Sequence, residues 1–502
     1  MQLFKKIAVV ASFFSVISHP FAASFDHLIG VDYQPNHFSA DANTLNFHDV
    51  FYVGHDSSGK AITNVYAELA QLKQAGFTTV RSYQTTVYSW VDIINQAHAL
   101  GMKVVYEAVI PQQPDDSNYP GCPVGGAQNY IPCAQATLNS VINTVTPAVF
   151  DSTVILVFAG HENYCNMGNN IPPCNGSSNV TYLTNAVTSL QTTLQGASLT
   201  TPVSSALISG NLVTPDGAIS ADMQTLINSY SADAPLAFDP YPFQWGVSPA
   251  NQAVWTPPLA TTQQLPNSLA WDYLQVVGSD NPSATPTTSK KDFYPAGRVL
   301  MAAETGWATT GSTAEYACNS PGPCAPSVAN AVAYYQTLYQ QNTSNFVTTS
   351  GYSIGVLAFE AYDEPSKGVS SAEGHYGLFD SNCNQKAAGM VPTNTMVSEP
   401  GCQGFSSGTL LTIVGFAHPY TLIISQKNPV TGKDASITMS SNGTQGTVPG
   451  APWPEYLVFP GASITIRGNP SCTSKVDAIK NQKITFSGKC NCPSDGLNNC
   501  YF

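Results

Sequence analysis

Apolar positions in this chain recur with two periods that alternate along its first three-quarters. Short runs of strand character lie at 28–33, 78–83, 103–110, 153–159, 202–209, 236–239, 299–303 and 355–360. Between them, apolar residues three and four apart mark 65–75, 90–100, 134–149, 182–194, 223–230, 269–277 and 328–340, the spacing that lines one face of a helix. Eight runs in continuous alternation with helices predict an α/β chain folded as a (β/α)8 TIM barrel, not an open doubly wound sheet. The count decides, because the first six units alone fit either. The span from about 25 to 380 exceeds the ~250 residues usual for that barrel. The surplus falls in loops rich in Pro, Asn or Gly at 111–130, 165–179 and 244–267.

Beyond residue 382 the pattern changes to short alternating runs at 410–414, 421–425, 436–439, 456–459, 463–466 and 483–486. Turn clusters such as Asn428-Pro429-Val430-Thr431-Gly432 separate them, which predicts a small all-β C-terminal domain. At the other end, Lys5 and Lys6 precede an apolar run from Ile7 to Ile17 and the small residues Ala22, Ala23 and Ser24. That is the pattern of a cleaved signal peptide, and the run is short of the ~20 residues a membrane span needs. The expected organisation is a signal peptide at 1–24, a barrel at 25–381 and a disulfide-containing β-rich domain at 382–502. The expected destination is the extracellular space, or the periplasm if the source is Gram-negative, with no membrane partner.

Composition narrows the function. Only 10% of the 502 residues are charged, with 18 Lys and Arg against 31 Asp and Glu, while 43% are hydrophobic. Disorder needs the reverse balance, and 18 cations cannot supply a field for phosphates, so no nucleic-acid partner is expected. The 12 cysteines agree with an oxidising compartment. They fall as near neighbours, Cys122 with Cys133, Cys165 with Cys174, Cys318 with Cys324 and Cys383 with Cys402, then Cys472, Cys490, Cys492 and Cys500. Short spacing reads as loop-stapling disulfides, although spacing alone does not fix connectivity. No C-x-x-C pair and no matching His pair supports a structural metal.

Reactive groups of such a barrel sit at the C-terminal ends of its strands. Glu162 follows the fourth run through Gly160-His161, and Glu304 closes the seventh run ahead of Thr305-Gly306-Trp307. A carboxylate at the end of a buried strand is costly unless paired or used. Two at one mouth can divide labour as nucleophile and acid/base, the requirement of retaining glycoside hydrolysis. Taken singly, each is equally well read as a rim ion pair.

At these residues the chain resembles glycoside hydrolase family 17, the β-1,3-glucanase family of clan A. Val299-Leu300-Met301-Ala302-Ala303-Glu304-Thr305-Gly306-Trp307 is similar to that family's nucleophile motif, with Ala308 where Pro usually follows. Ala159-Gly160-His161-Glu162 resembles its Gly-Asn-Glu acid/base segment, with His161 in place of Asn. That Asn usually bonds the sugar 2-hydroxyl, so the resemblance implies that His161 holds the −1 sugar differently. The stretch from Phe359 to Lys367, leading to Glu373-Gly374-His375-Tyr376-Gly377-Leu378-Phe379, resembles the last-strand segment. It implies auxiliary roles near the sugar for Glu364, Lys367 and Glu373. Gly30-Val31-Asp32-Tyr33, Val80-Arg81-Ser82-Tyr83 and Asp239-Pro240-Tyr241-Pro242 are similar to Gly-Val-x-Tyr, Val-Arg-x-Tyr and Asn-x-Tyr-Pro in its first, second and sixth strands. The aromatics Tyr33, Tyr83, Tyr241 and Trp307 are candidate sugar platforms, although any one of them alone is as readily core packing.

The resulting expectation is a secreted, retaining, endo-acting β-1,3-glucanase with Glu304 as nucleophile and Glu162 as acid/base. Its partner is a β-glucan polysaccharide or oligosaccharide, it acts as a monomer, and its chemistry needs no metal or organic cofactor. Transglycosylation on the same site, or a non-catalytic glycan-binding or adhesion role, are the alternatives. The C-terminal domain is either carbohydrate-binding, through Tyr420, Trp453 and Tyr456, or a structural cap.

Overall fold

A computed structural model describes residues 25, 28–35, 37, 52–55, 57, 61–110, 130–162, 176–208, 221–244, 299–313, 324–343, 354–405, 409–411, 419–442, 456–468, 471–480 and 483–491. The signal peptide, the helix expected at 269–277, Trp453 and cysteines 122, 165, 174, 318, 492 and 500 lie outside the described residues.

Eight parallel strands close into a barrel. In chain order they are β1 (Ile29–Asp32), β4 (Thr79–Ser82), β5 (Lys103–Ala108), β6 (Val154–His161), β7 (Val203–Ile208), β8 (Leu236–Asp239), β9 (Leu300–Thr305) and β10 (Ile354–Ala358), with β10 returning to β1. The labels β2 and β3 belong to Tyr52–His55 and Ala61–Thr63, inserted after β1. Parallel strands are covered on both faces, so they need near-continuous apolar runs. In β6 the first seven residues, Val154 to Gly160, are all buried.

Around the barrel run α1 (Val65–Gln74), α2 (Val87–Leu100), α3 (Tyr130–Val145), α4 (Pro147–Thr153), α5 (Gly176–Gly196), α6 (Ala221–Ser229) and α7 (Val328–Thr343). The single helix expected at 134–149 is two. Pro147 has no N–H to continue α3, while the Thr146 hydroxyl accepts a hydrogen bond from Val149 N and caps α4, whose first residue is that proline. At the end of α2, Gly101 takes the left-handed conformation (φ 68°) that stops a helix cleanly.

A second sheet gathers the C-terminal strands β11 (Thr409–Leu411), β12 (Pro419–Lys427), β13 (Asp434–Asn442), β14 (Tyr456–Val458), β15 (Ser463–Gly468), β16 (Ser471–Lys480) and β17 (Lys483–Asn491). Its order is β11-β14-β2-β13-β12-β15-β16-β17, with β3 paired to β2. The sheet therefore crosses the boundary expected at 382, because the hairpin after β1 supplies a strand between β14 and β13. Gln426 ties the parts together: its amide donates to Val53 O (2.7 Å) and accepts from Phe459 N (3.1 Å). β16 was not expected from the apolar pattern.

Between barrel and sheet, residues 382–405 lie along α1. The Gln71 amide donates to Cys383 O (3.0 Å) and Glu399 O (2.9 Å), and Gln74 Oε1 accepts from Ser398 N and Glu399 N. The Cys383–Cys402 disulfide closes this segment, and Cys133 and Cys324 are also disulfide-bonded. Among the described residues, no helix is long and apolar enough to cross a membrane.

Candidate active site

The C-terminal strand ends bring carboxylates, one imidazole and one guanidinium into a single buried cluster. Glu304 lies within β9 and is 4% exposed. Its Oε1 accepts from the Tyr83 hydroxyl and lies 3.1 Å from His161 Nε2 and 3.4 Å from an Arg81 nitrogen. Its Oε2 accepts from Tyr241 OH at 2.7 Å. The same His161 nitrogen is 3.3 Å from Asp239 Oδ2, at the end of β8. Glu162 completes the group, and the ligating atoms of His161, Glu162 and Asp239 lie within 4.8 Å of one another.

Backbone geometry fixes Glu162. It has φ 51°, in the left-handed region that side chains other than glycine seldom adopt, and its N–H donates to Ala206 O on β7 at 3.0 Å. Strain of this kind persists where the surroundings over-determine it, and it concentrates at functional sites. Gly306 fixes the other end. A Cβ there would sit 2.0 Å from Phe359 O, so only glycine lets the ends of β9 and β10 approach.

The two glutamates are pushed in opposite directions. Burial raises Glu162 from 4.5 to about 7, with Asp239 and Glu304 adding to the rise and His161 and Arg81 opposing it. Burial also pushes Glu304 up, but the charge and hydrogen bond of His161, the Arg81 guanidinium and the Tyr83 hydroxyl outweigh it and hold the carboxyl well below the usual range. Burial alone would depress His161, yet Glu304 and Asp239 hold it well above the ordinary histidine value despite Arg81. At neutral pH the cluster thus pairs an ionised Glu304 with a Glu162 near half-protonated.

Arg81 anchors this arrangement from β4. It is fully buried, donates to Glu107 Oε2 (3.1 and 2.7 Å) and Ala303 O (2.8 Å), and lies 3.8 Å from Asp32. Its guanidinium also lies over the Tyr83 and Phe158 rings. A second group follows β10. Lys367 Nζ is 2.9 Å from Glu360 Oε2 and 3.2 Å from Glu364 Oε2, and Glu304 adds to the field that keeps this lysine charged. Burial and the Glu364 charge raise Glu360, with Lys367 opposing.

The structure therefore brings together Glu162, Glu304, His161, Tyr83 and Tyr241, and sets Glu364 and Lys367 beside them. Tyr33 is elsewhere: its hydroxyl donates to Glu68 at 2.5 Å in a cluster on α1. Trp307 is fully buried, packed against Phe243 and Tyr334, and presents no face for a sugar. Glu373 lies in a 3-10 turn (Ala372–His375), where its charge raises Tyr376, itself raised mainly by burial. Downstream, Leu378 N donates to Glu360 O and Phe379 N to Ala361 O, so the Gly-Leu-Phe stretch clamps the loop that carries Glu360 and Glu364. Asp32, Arg81, Glu107, Asp239 and Glu360 were not singled out from the sequence. Their signal was available: a charge inside a strand that must be buried on both faces, in a chain with only 18 cations.

Among the described residues, two groups place metal-ligating atoms together, His161 with Glu162 and Asp239, and His37 with Glu68, Cys383 and Cys402. In the second, the sulfurs are bonded to each other and offer no thiolate. In the first, the imidazole is already matched to Asp239 and Glu304.

Compared with known protein families, residues 135–388 match glycosyl hydrolases family 17, just over half of the chain. The chain belongs to this family. It is thus a glycoside hydrolase, and the matched span includes β6, β8 and β9 with Glu162, Asp239 and Glu304. No curated protein sequence matches the chain. Among solved structures, it is similar to the β-1,3-glucanase and pollen allergen of Cryptomeria japonica, at 16% identity and TM-score 0.44 over 71% of this chain and 97% of that one. GH5_18 from Streptomyces cattleya, in complex with GlcNAc, aligns at 12% identity and TM-score 0.42 over 73% and 78%. A family 5 mannosidase from Rhizomucor miehei aligns at 14% and 0.37 over 72% and 93%.

Proposed function

We propose that this glycoside hydrolase is a secreted, retaining enzyme that cleaves β-1,3-glucan internally. The observation that carries the reading is one buried cluster at the strand ends, in which Tyr83, Tyr241 and Arg81 hold Glu304 and Glu162 stands beside His161, so that burial pushes Glu162 up while cationic neighbours hold Glu304 down. In the first step, a Glu304 oxygen attacks the anomeric carbon as the glycosidic C–O bond breaks, and Glu162 delivers its proton to the departing oxygen. In the second, Glu162 takes a proton from water, whose oxygen attacks the same carbon and releases Glu304. Tyr83 and Tyr241 hold Glu304 in place for both steps, and Arg81 keeps it anionic. A neutral glucan suits a chain with so little charge, since no long-range field is needed for capture. Residues 382–502, whose strands share a sheet with β2 and β3, are read as a β module that binds glycan or caps the barrel, and residues 1–24 as the leader that directs export.

The test is a panel of β-1,3, mixed-linkage and β-1,6 glucans with analysis of product length. Release of reducing ends from β-1,3-glucan is expected, with none from a correctly folded Glu304→Gln variant. Products longer than the substrate indicate glycosyl transfer, and inertness of the wild type on every glucan refutes the reading.

A further inference from the structure

The imidazole of His161 stands between two carboxylates, 3.1 Å from Glu304 and 3.3 Å from Asp239. His161 and Asp239 occupy the positions that are Asn in the motifs they resemble, on β6 and at the end of β8. A pair of amides is neutral at every pH. An imidazolium with an aspartate has the same net charge, but it loses that balance when either partner titrates. Both replacements occur together and the two side chains meet, so they form one device.

We propose that the His161–Asp239 couple is a positioning element that fixes the charge and orientation of Glu304, so that catalysis depends on the protonation of His161 as well as on the two glutamates. This rests on Glu304 being the nucleophile. Asp239 is 3% exposed, and an imidazolium beside it relieves the cost of burying a carboxylate so close to Glu304. Among the described residues, the other groups facing His161 are Arg81 from β4, Tyr83 with its ring centroid 5.7 Å away, and Glu162 next in the chain. Asp32 and Glu107 flank that Arg81. Arg81 opposes protonation of His161, so the two carboxylates are what retain the proton.

Removing the imidazolium deprives both glutamates of a neighbouring cation, so both bind protons more tightly. His161→Asn should move the acid and alkaline limbs of kcat/KM to higher pH together, by about one unit or more. A change that merely loosens the fold lowers the plateau and leaves the limbs in place. Burial already pushes Asp239 up to about 6 against the pull of His161, so His161→Asn raises it further and leaves a carboxyl that titrates beside Glu304, whereas the double variant His161→Asn/Asp239→Asn is neutral at every pH. The double variant should be about tenfold more active than His161→Asn alone.

The experiment is this double-mutant cycle on the full chain, with pH profiles, together with imidazole NMR titration of wild type and Glu304→Gln. The His161 resonances should titrate well above 6.5 in wild type and move down in Glu304→Gln, which needs no turnover to observe. If His161 titrates near 6.5 in both proteins, or if the two substitutions combine additively with unmoved limbs, the couple is not a charge device and the proposal fails. If the titration behaves as stated while the wild type is inert on all glucans, the glucanase reading fails and the ionic couple stands.

Discussion

Two regions of this molecule bury a glutamate against a tyrosine and a histidine, and they do opposite things with it. On α1, Glu68 takes hydrogen bonds from Tyr33 OH and Asn64 Nδ2 and meets His37 Nε2 at 3.2 Å, under the ring of Tyr362 stacked on His37. Its oxygens are occupied and nearby Cys383–Cys402 closes the cluster, with a sulfur 4.0 Å from His37. At the mouth, Glu304 is also fully engaged, but its neighbours are Arg81, Asp239, Glu162 and Asp32, all able to carry charge. Coordination in which hydroxyl, amide and imidazole donors occupy both carboxylate oxygens, with no second carboxylate competing for them, makes a structural knot. Coordination by competing charges drives protonation states apart, and that is what acid–base chemistry requires.

The largest effect that tests this contrast comes from Glu162→Gln, which should lower kcat/KM by about 10²–10⁴-fold with the fold intact. Stability should respond in the other direction. The folded protein holds the Glu162 proton up to about pH 7 against 4.5 in the unfolded chain, so the stability this group contributes is complete below 4.5 and is lost as pH rises through about 7. Glu162→Gln should remove that pH dependence, read as a melting temperature that no longer declines between those values. A large loss of activity with an unchanged stability profile would break the link between burial and function.

An intermediate effect is expected at the knot. Cys383→Ala opens a loop of sequence separation 19 and should cost ~3 kcal/mol in denaturant unfolding, with kcat/KM per folded molecule unchanged. The smallest is Tyr33→Phe, which takes one donor from a buried carboxylate and should cost ~1–3 kcal/mol without altering KM. If Tyr33→Phe raises KM as Tyr83→Phe or Tyr241→Phe is expected to, Tyr33 touches substrate and the contrast collapses.

The barrel was legible because its strands need apolar runs on both faces, and all eight fall where those runs lie. The hairpin of β2 and β3 was not. Its four- and three-residue strands alternate only weakly, and they form because β13 and β14 offer free edges far along the chain. Pro147 was visible, yet the apolar period on both sides of it read as one helix. In the site, strand-end glutamates and tyrosines mark the cluster in the sequence, whereas Arg81 and Asp239 in the same motifs look like ordinary charges until the barrel buries them together. Tyr33 shows the limit of position: it follows a strand end as Tyr83 does, yet α1 presents Glu68 to it and draws its hydroxyl away.

Glu304 forms the covalent bond to sugar in the proposed mechanism. That bond is tested most directly by incubating the intact protein with an activated 2-fluoro-2-deoxy-glucoside oligosaccharide, digesting, and locating the label by mass spectrometry. A single fluoroglycosyl group is expected on the peptide carrying Glu304, with none in Glu304→Gln. A label on any other carboxylate, or steady turnover with inverted product and no label at all, would contradict it.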